Sequence, residues 1–159
     1  EFWVFGQNYP NEVEASRLER SSMEPGAWRL EVSPKSAAKE DLFLNVMQLT
    51  DRNAPNRWPV QRLDAGDRVG CTLEGPGATW VVLLRRDSKR SGLPVQFTVA
   101  GHAQSRFLIT DLEPGRWQAR RDGDAEVRTI QVPGDSATAW FEGTAGAWTL
   151  SQLKNDSTP

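Results

Sequence analysis

Histidine, tyrosine and cysteine each occur once in the 159 residues, as His102, Tyr9 and Cys71. A single cysteine excludes an internal disulfide, and one His plus one Cys cannot furnish the ligand set of a zinc site. A Ser-His-Asp arrangement would have to use His102, which sits in the small-residue turn Ala100-Gly101-His102-Ala103-Gln104. No Gly-x-Ser-x-Gly elbow accompanies it. Glycine-rich phosphate loops between strand and helix are absent, and Gly75-Pro76-Gly77 reads as a turn. Asp122-Gly123-Asp124 is also turn chemistry, because no further acidic ligands follow at EF-hand spacing. No apolar run approaches the ~20 residues that span a bilayer; Trp80 to Leu84 is only strand-sized. Charge of one sign is lacking too: 19 basic against 21 acidic side chains leave −2, no general case for a nucleic-acid partner. Helical periodicity is scarce. Glu12 to Arg20 offers only Val13, Ala15 and Leu18.

What is present is turn chemistry, alternation and tryptophan. The phrase Glu24-Pro25-Gly26-Ala27-Trp28 returns as Glu113-Pro114-Gly115-Arg116-Trp117, with a looser echo at Ala145-Gly146-Ala147-Trp148. Each copy sets a turn before an indole that opens an alternating run. Alternation predicts strands over Phe2–Phe5, Ala27–Ser33, Asp67–Leu73, Ala78–Arg86, Leu93–Ala100, Arg106–Thr110, Gly115–Arg121, Ala125–Val132, Ala137–Glu142 and Gly146–Leu153. Asp41–Leu49 is apolar on both faces and reads as a strand in the middle of packed sheets. The expected fold is all-β: an antiparallel β-sandwich of about ten strands with little or no helix, one domain over residues 1–159. The chain opens abruptly in a strand-like run with no leader in view, as expected of a piece of a longer protein or, alternatively, of a chain whose leader was removed.

Seven tryptophans need places. Trp28, Trp80, Trp117, Trp140 and Trp148 fall inside alternating runs and read as core. Cys71, between Gly70 and Thr72, reads as a small buried hydrophobe. Trp58 lies with Arg57 on the polar loop Asn53–Pro59, where a large ring either meets a ligand or another domain, or tucks back onto its own sandwich. Tyr9, with Asn8, is a weaker case of the same kind. Basic side chains outnumber acidic ones between residues 85 and 128, most densely at Arg85, Arg86, Lys89 and Arg90. That stretch is either a solvated hairpin tip or a contact for an acidic partner such as a uronate-containing polysaccharide.

Glu1-Phe2-Trp3-Val4-Phe5-Gly6-Gln7-Asn8-Tyr9-Pro10-Asn11 resembles the segment that opens the final β-sandwich of heparinase II/III-like polysaccharide lyases. Gly26 to Pro34, followed by Lys39 to Gln48, is similar to the same domain. The resemblance covers residues 1–50. It implies a parent enzyme in which a helical toroid and β-sandwich domains precede this one. It also implies β-elimination of acidic polysaccharides and a secreted or periplasmic location; the residues themselves point to no cofactor. The family's catalytic Tyr, His and Asn match no position here, so the chain is expected to be a non-catalytic support for its parent. The alternative is an independent carbohydrate-binding or adhesion-type sandwich.

Overall fold

A computed structural model describes residues 2–4, 7–9, 32–36, 38–51, 53 and 56–153, with backbone alone for residues 2–4, 7–9 and 102–103. It divides into two compact units, Glu1–Asp41 and Leu42–Pro159. The first holds a small hairpin of β1 (Phe2–Val4) and β2 (Gln7–Tyr9), with Phe2 opposite Tyr9 and Trp3 opposite Asn8. The helical turns considered at Glu12–Arg20 and most of the strand expected at Ala27–Ser33 lie outside the described residues.

The second unit is all-β among the described residues, with no helix. It comprises β3 (Val60–Ala65), β4 (Arg68–Gly75), β5 (Ala78–Arg85), β6 (Val95–Ile109), β7 (Gly115–Arg121), β8 (Val127–Val132) and β9 (Ala139–Gln152). They form one ladder in the order β3-β4-β5-β6-β9-β7-β8. Two-residue connections at Gly66-Asp67 and Pro76-Gly77 fix the register of β3, β4 and β5, since Ala65 pairs Arg68 and Gly75 pairs Ala78.

Two long strands fold this ladder into layers. β6 and β9 run antiparallel, and their register shifts between Val99 and Gln104. The early part of β6 (95–99) pairs residues 146–150 of β9, whose end also pairs β7. The late part of β6 (104–109) pairs residues 139–144 of β9 and, in parallel, β5. The parallel pairing needs a long crossover. The chain supplies it by sending β6 through the other layer first. Side chains from both halves share one core that includes Val81, Leu83, Phe97, Phe107, Ile109, Trp117, Phe141, Trp148 and Leu150. Within it Phe107 stacks on Phe141 with centroids 4.6 Å apart and meets Trp148 at 5.1 Å.

The repeated phrase has one physical meaning in its two described copies. Trp117 donates its indole N–H to the Glu113 carbonyl at 2.8 Å, and Trp148 donates to the Thr144 carbonyl at 3.0 Å. In each case the acceptor is four residues back. The glycine two residues back has positive φ, +133° at Gly115 and +144° at Gly146, which lets the chain curl under the ring. Both indoles are buried, so the bond satisfies a donor that water cannot reach.

Asp41–Leu49 departs from expectation. It forms no strand, and its large apolar side chains are exposed, Met47 by 78% and Leu49 by 87%. The local pattern is right for a strand, but no neighbouring strand among the described residues pairs with it. Without a ladder, a run that is apolar on both faces stays exposed on both.

Candidate functional site

Strand parity decides which side chains face outward. Val81, Leu83, Phe107, Ile109, Ala139 and Phe141 point into the core, so their neighbours Trp80, Val82, Leu84, Arg106, Leu108, Trp140 and Glu142 occupy the opposite face. Register lines them up. Val60, Leu73, Trp80, Arg106 and Glu142 make one cross-strand row; Arg62, Cys71, Val82, Leu108 and Trp140 make the next. A sheet face toward solvent ordinarily alternates to polar. This one is largely apolar.

At its β3–β4 end the face carries a groove of about 460 Å³ between Leu42, Leu44 and Val46 on one side and Val60, Val69 and Cys71 on the other. Val69 and Cys71 are buried beneath it, and that burial pushes the Cys71 thiol pKa up. Cys71 is thus the small buried hydrophobe its sequence context suggests. Charge rims the groove. Asp64 accepts from Arg62 Nη2 at 2.8 Å and from Arg86 Nη2. Those bonds, Arg62 first, hold its carboxyl below the usual carboxylate range.

At the β5–β6–β9 end the face carries two indoles. Trp80 and Trp140 meet with centroids 5.6 Å apart and ring planes tilted by 41°. Arg106 lays its guanidinium 5.2 Å from the Trp80 centroid and donates Nε–H to Glu142 Oε1 at 3.1 Å. Trp140 is 46% exposed. Both indoles therefore correct the core assignment read from alternation. Each has a large apolar neighbour, Val81 or Phe141, and that neighbour takes the inward position.

The residues singled out from sequence fall on different elements. Trp58 exchanges two hydrogen bonds with the Gln48 side chain, at 2.8 and 3.0 Å. Its ring closes on Gly75, where an added Cβ would lie 3.1 Å from Cζ3. It remains 42% exposed. Arg57 beside it is exposed. Asn8 and Tyr9 lie on β2 of the first unit, with side chains outside the description. Arg85 places Nε 3.0 Å from both Asp67 and Asp87, in ion-pair contact without hydrogen-bond alignment, and Nη1 near the Lys89 and Arg90 carbonyls. With Arg86 on Asp64, two of the four cations expected for an acidic partner have carboxylates of their own; Lys89 and Arg90 stand exposed. The Trp80–Trp140–Arg106–Glu142 group went unnoticed in the sequence. Its signal was weak: Trp-x-Glu at Trp140 and Glu142 puts a ring and a carboxylate on one strand face.

Among the described residues, no cluster of three or more His, Cys, Asp or Glu is placed to hold a metal, and no helix is long and apolar enough to cross a membrane. The model of the heparinase II C-terminal domain matches residues 62–152, more than half the chain and nearly all of β3 to β9. Among curated proteins, none matches.

Proposed function

The chain belongs to the heparinase II C-terminal domain family, and on that premise we propose that it is the non-catalytic C-terminal β-sandwich of a polysaccharide lyase, supporting the domains that cleave uronate-containing polysaccharides by β-elimination. Its partners in this reading are the helical toroid and β-sandwich domains of the parent, and its location is periplasmic or secreted. The observation that carries the reading is the apolar segment Leu42–Leu49. It puts Leu42, Phe43, Leu44, Val46, Met47 and Leu49 in water at 37% exposure or more. Contiguous apolar surface of this kind marks a contact with another domain. β-Elimination needs a positioned base and acid. The chain offers one phenol and one imidazole in all, neither matching a catalytic position of the family, which supports a non-catalytic role.

The test is Met47→Asp with Leu49→Asp, made both in this chain and in the full-length lyase. The expected result is an unchanged unfolding midpoint for the chain alone, and loss of stability and lyase activity in the parent. Equal behaviour of variant and wild type in the parent would remove the docking role. Release of unsaturated uronate products by the isolated chain would overturn the non-catalytic assignment.

A further inference from the structure

We propose that the outer face of β5, β6 and β9 binds a pyranose ring of a uronate-containing glycan, with Trp140 as stacking platform and Arg106 and Glu142 as its polar edge. The acidic class of the ligand rests on the lyase reading above; the stacking does not. Trp117 and Trp148 are spent on the core, with 0% and 3% exposure, whereas Trp140 keeps nearly half its surface in water. Trp80 cannot offer the same platform, because Arg106 already occupies its face. The open π-face is therefore that of Trp140.

A pyranose has an apolar C–H face and a rim of hydroxyls. The electronegative face of an indole suits the first. The rim needs donors and acceptors a few ångström away. Glu142 stands two residues along the same strand face from Trp140, roughly 7 Å on, and accepts. Arg106, held beside it by the 3.1 Å bond, donates in a fork suited to a carboxylate.

The same pair argues against a dry protein contact here. Arg106 is 42% and Glu142 51% exposed. A docked domain would strip water from both charges, and desolvation offsets much of what the contact gains. A glycan leaves the site wet, and bridging waters keep the charges solvated.

Calorimetric titration of the chain with an alginate hexasaccharide, all uronate, and with neutral cellohexaose tests this. The wild type is expected to bind the hexauronate more tightly. Trp140→Ala lowers that affinity at least tenfold with an unchanged unfolding midpoint, and Trp140→Phe retains part of it. Arg106→Gln removes the preference for the uronate probe. No binding of either probe, or wild-type binding by Trp140→Ala, overturns the platform. Equal binding of the two probes by the wild type overturns the acidic class. Either result leaves the docking reading to stand or fall on the Met47 and Leu49 variants.

Discussion

Phe97 and Phe107 lie ten residues apart on one strand, yet their ring centroids are 5.7 Å apart. A straight strand would separate them by roughly 33 Å. β6 therefore doubles over, and β9 follows it, bringing Phe141 within 5.3 Å of Trp148. The sandwich is one ladder folded across this aromatic cluster.

Phe107 sits at the fold with no exposure and touches Phe97, Phe141 and Trp148. Phe107→Ala is expected to destabilise the domain by about 3–5 kcal/mol, and Phe107→Leu by less, because less cavity is left. Urea denaturation reads both. Equal midpoints for Phe107→Ala and wild type would mean the two layers do not depend on the cluster.

Gly143 lies just before the bend of β9, paired with Ser105. An added Cβ would stand 2.5 Å from Cζ2 of Trp148, an indole locked in the core. Gly143→Ala should lower stability by about 1–3 kcal/mol through overpacking. Trp148→Phe leaves the Thr144 carbonyl without its indole donor and is expected to cost about 1–3 kcal/mol. Thermal unfolding of the two single variants and the double variant checks coupling. Since the groups touch, their effects should not add.

Arg68 is 1% exposed and donates through Nη1 and Nη2 to the Thr110 and Asp111 carbonyls. Desolvation lowers its pKa, while Asp67 and Asp111 act in the opposite direction. Arg68→Lys should fail to rescue what Arg68→Met loses, because an ammonium lacks the fork that spans two carbonyls. A loss of about 2–3 kcal/mol is expected for Arg68→Met, visible as a lower guanidinium midpoint. A fully stable Lys variant would rule out the two-carbonyl clamp.

Arg121 ties the β7–β8 turn to the bend of β9, donating to Asp124 at 2.7 and 2.8 Å and to the Ala145 carbonyl at 3.1 Å. The Arg121 hydrogen bond, more than its charge alone, holds the Asp124 pKa below its usual value. A carboxylate depressed in the fold contributes stability that is present above its unfolded pKa, near 4. That contribution is lost as pH falls through the folded value. Stability should therefore fall on acidification below about pH 4, and Asp124→Asn should make that fall shallower. Both side chains are partly in water, so the effect is small. An identical acid profile for Asp124→Asn would show that the pair contributes nothing to it.

Much of this protein was written in local pattern. Alternation and Gly-Pro turns gave the all-β class and most strands of the second unit to within a few residues, since period two and turn geometry are properties of neighbouring residues. They gave the burial of Trp117 and Trp148 as well. The family resemblance rested on residues 1–50, whereas the family match lies over residues 62–152, where local pattern looked generic.

Three things required the folded chain. Trp80–Leu84 and Ala139–Phe141 are apolar on both faces, so parity alone cannot choose between Trp80 and Val81, or between Trp140 and Phe141; the facing layer chose. Asp41–Leu49 has the apolar run of a strand buried on both faces, but a strand exists only where another strand pairs with it. Arg106 meets Glu142 across 36 residues because the β6–β9 register places them side by side. Sequence determined which residues prefer to be extended and where the chain turns, because those are short-range steric and patterning effects. The tertiary structure decided which indoles are core and which are surface, because burial depends on what stands opposite.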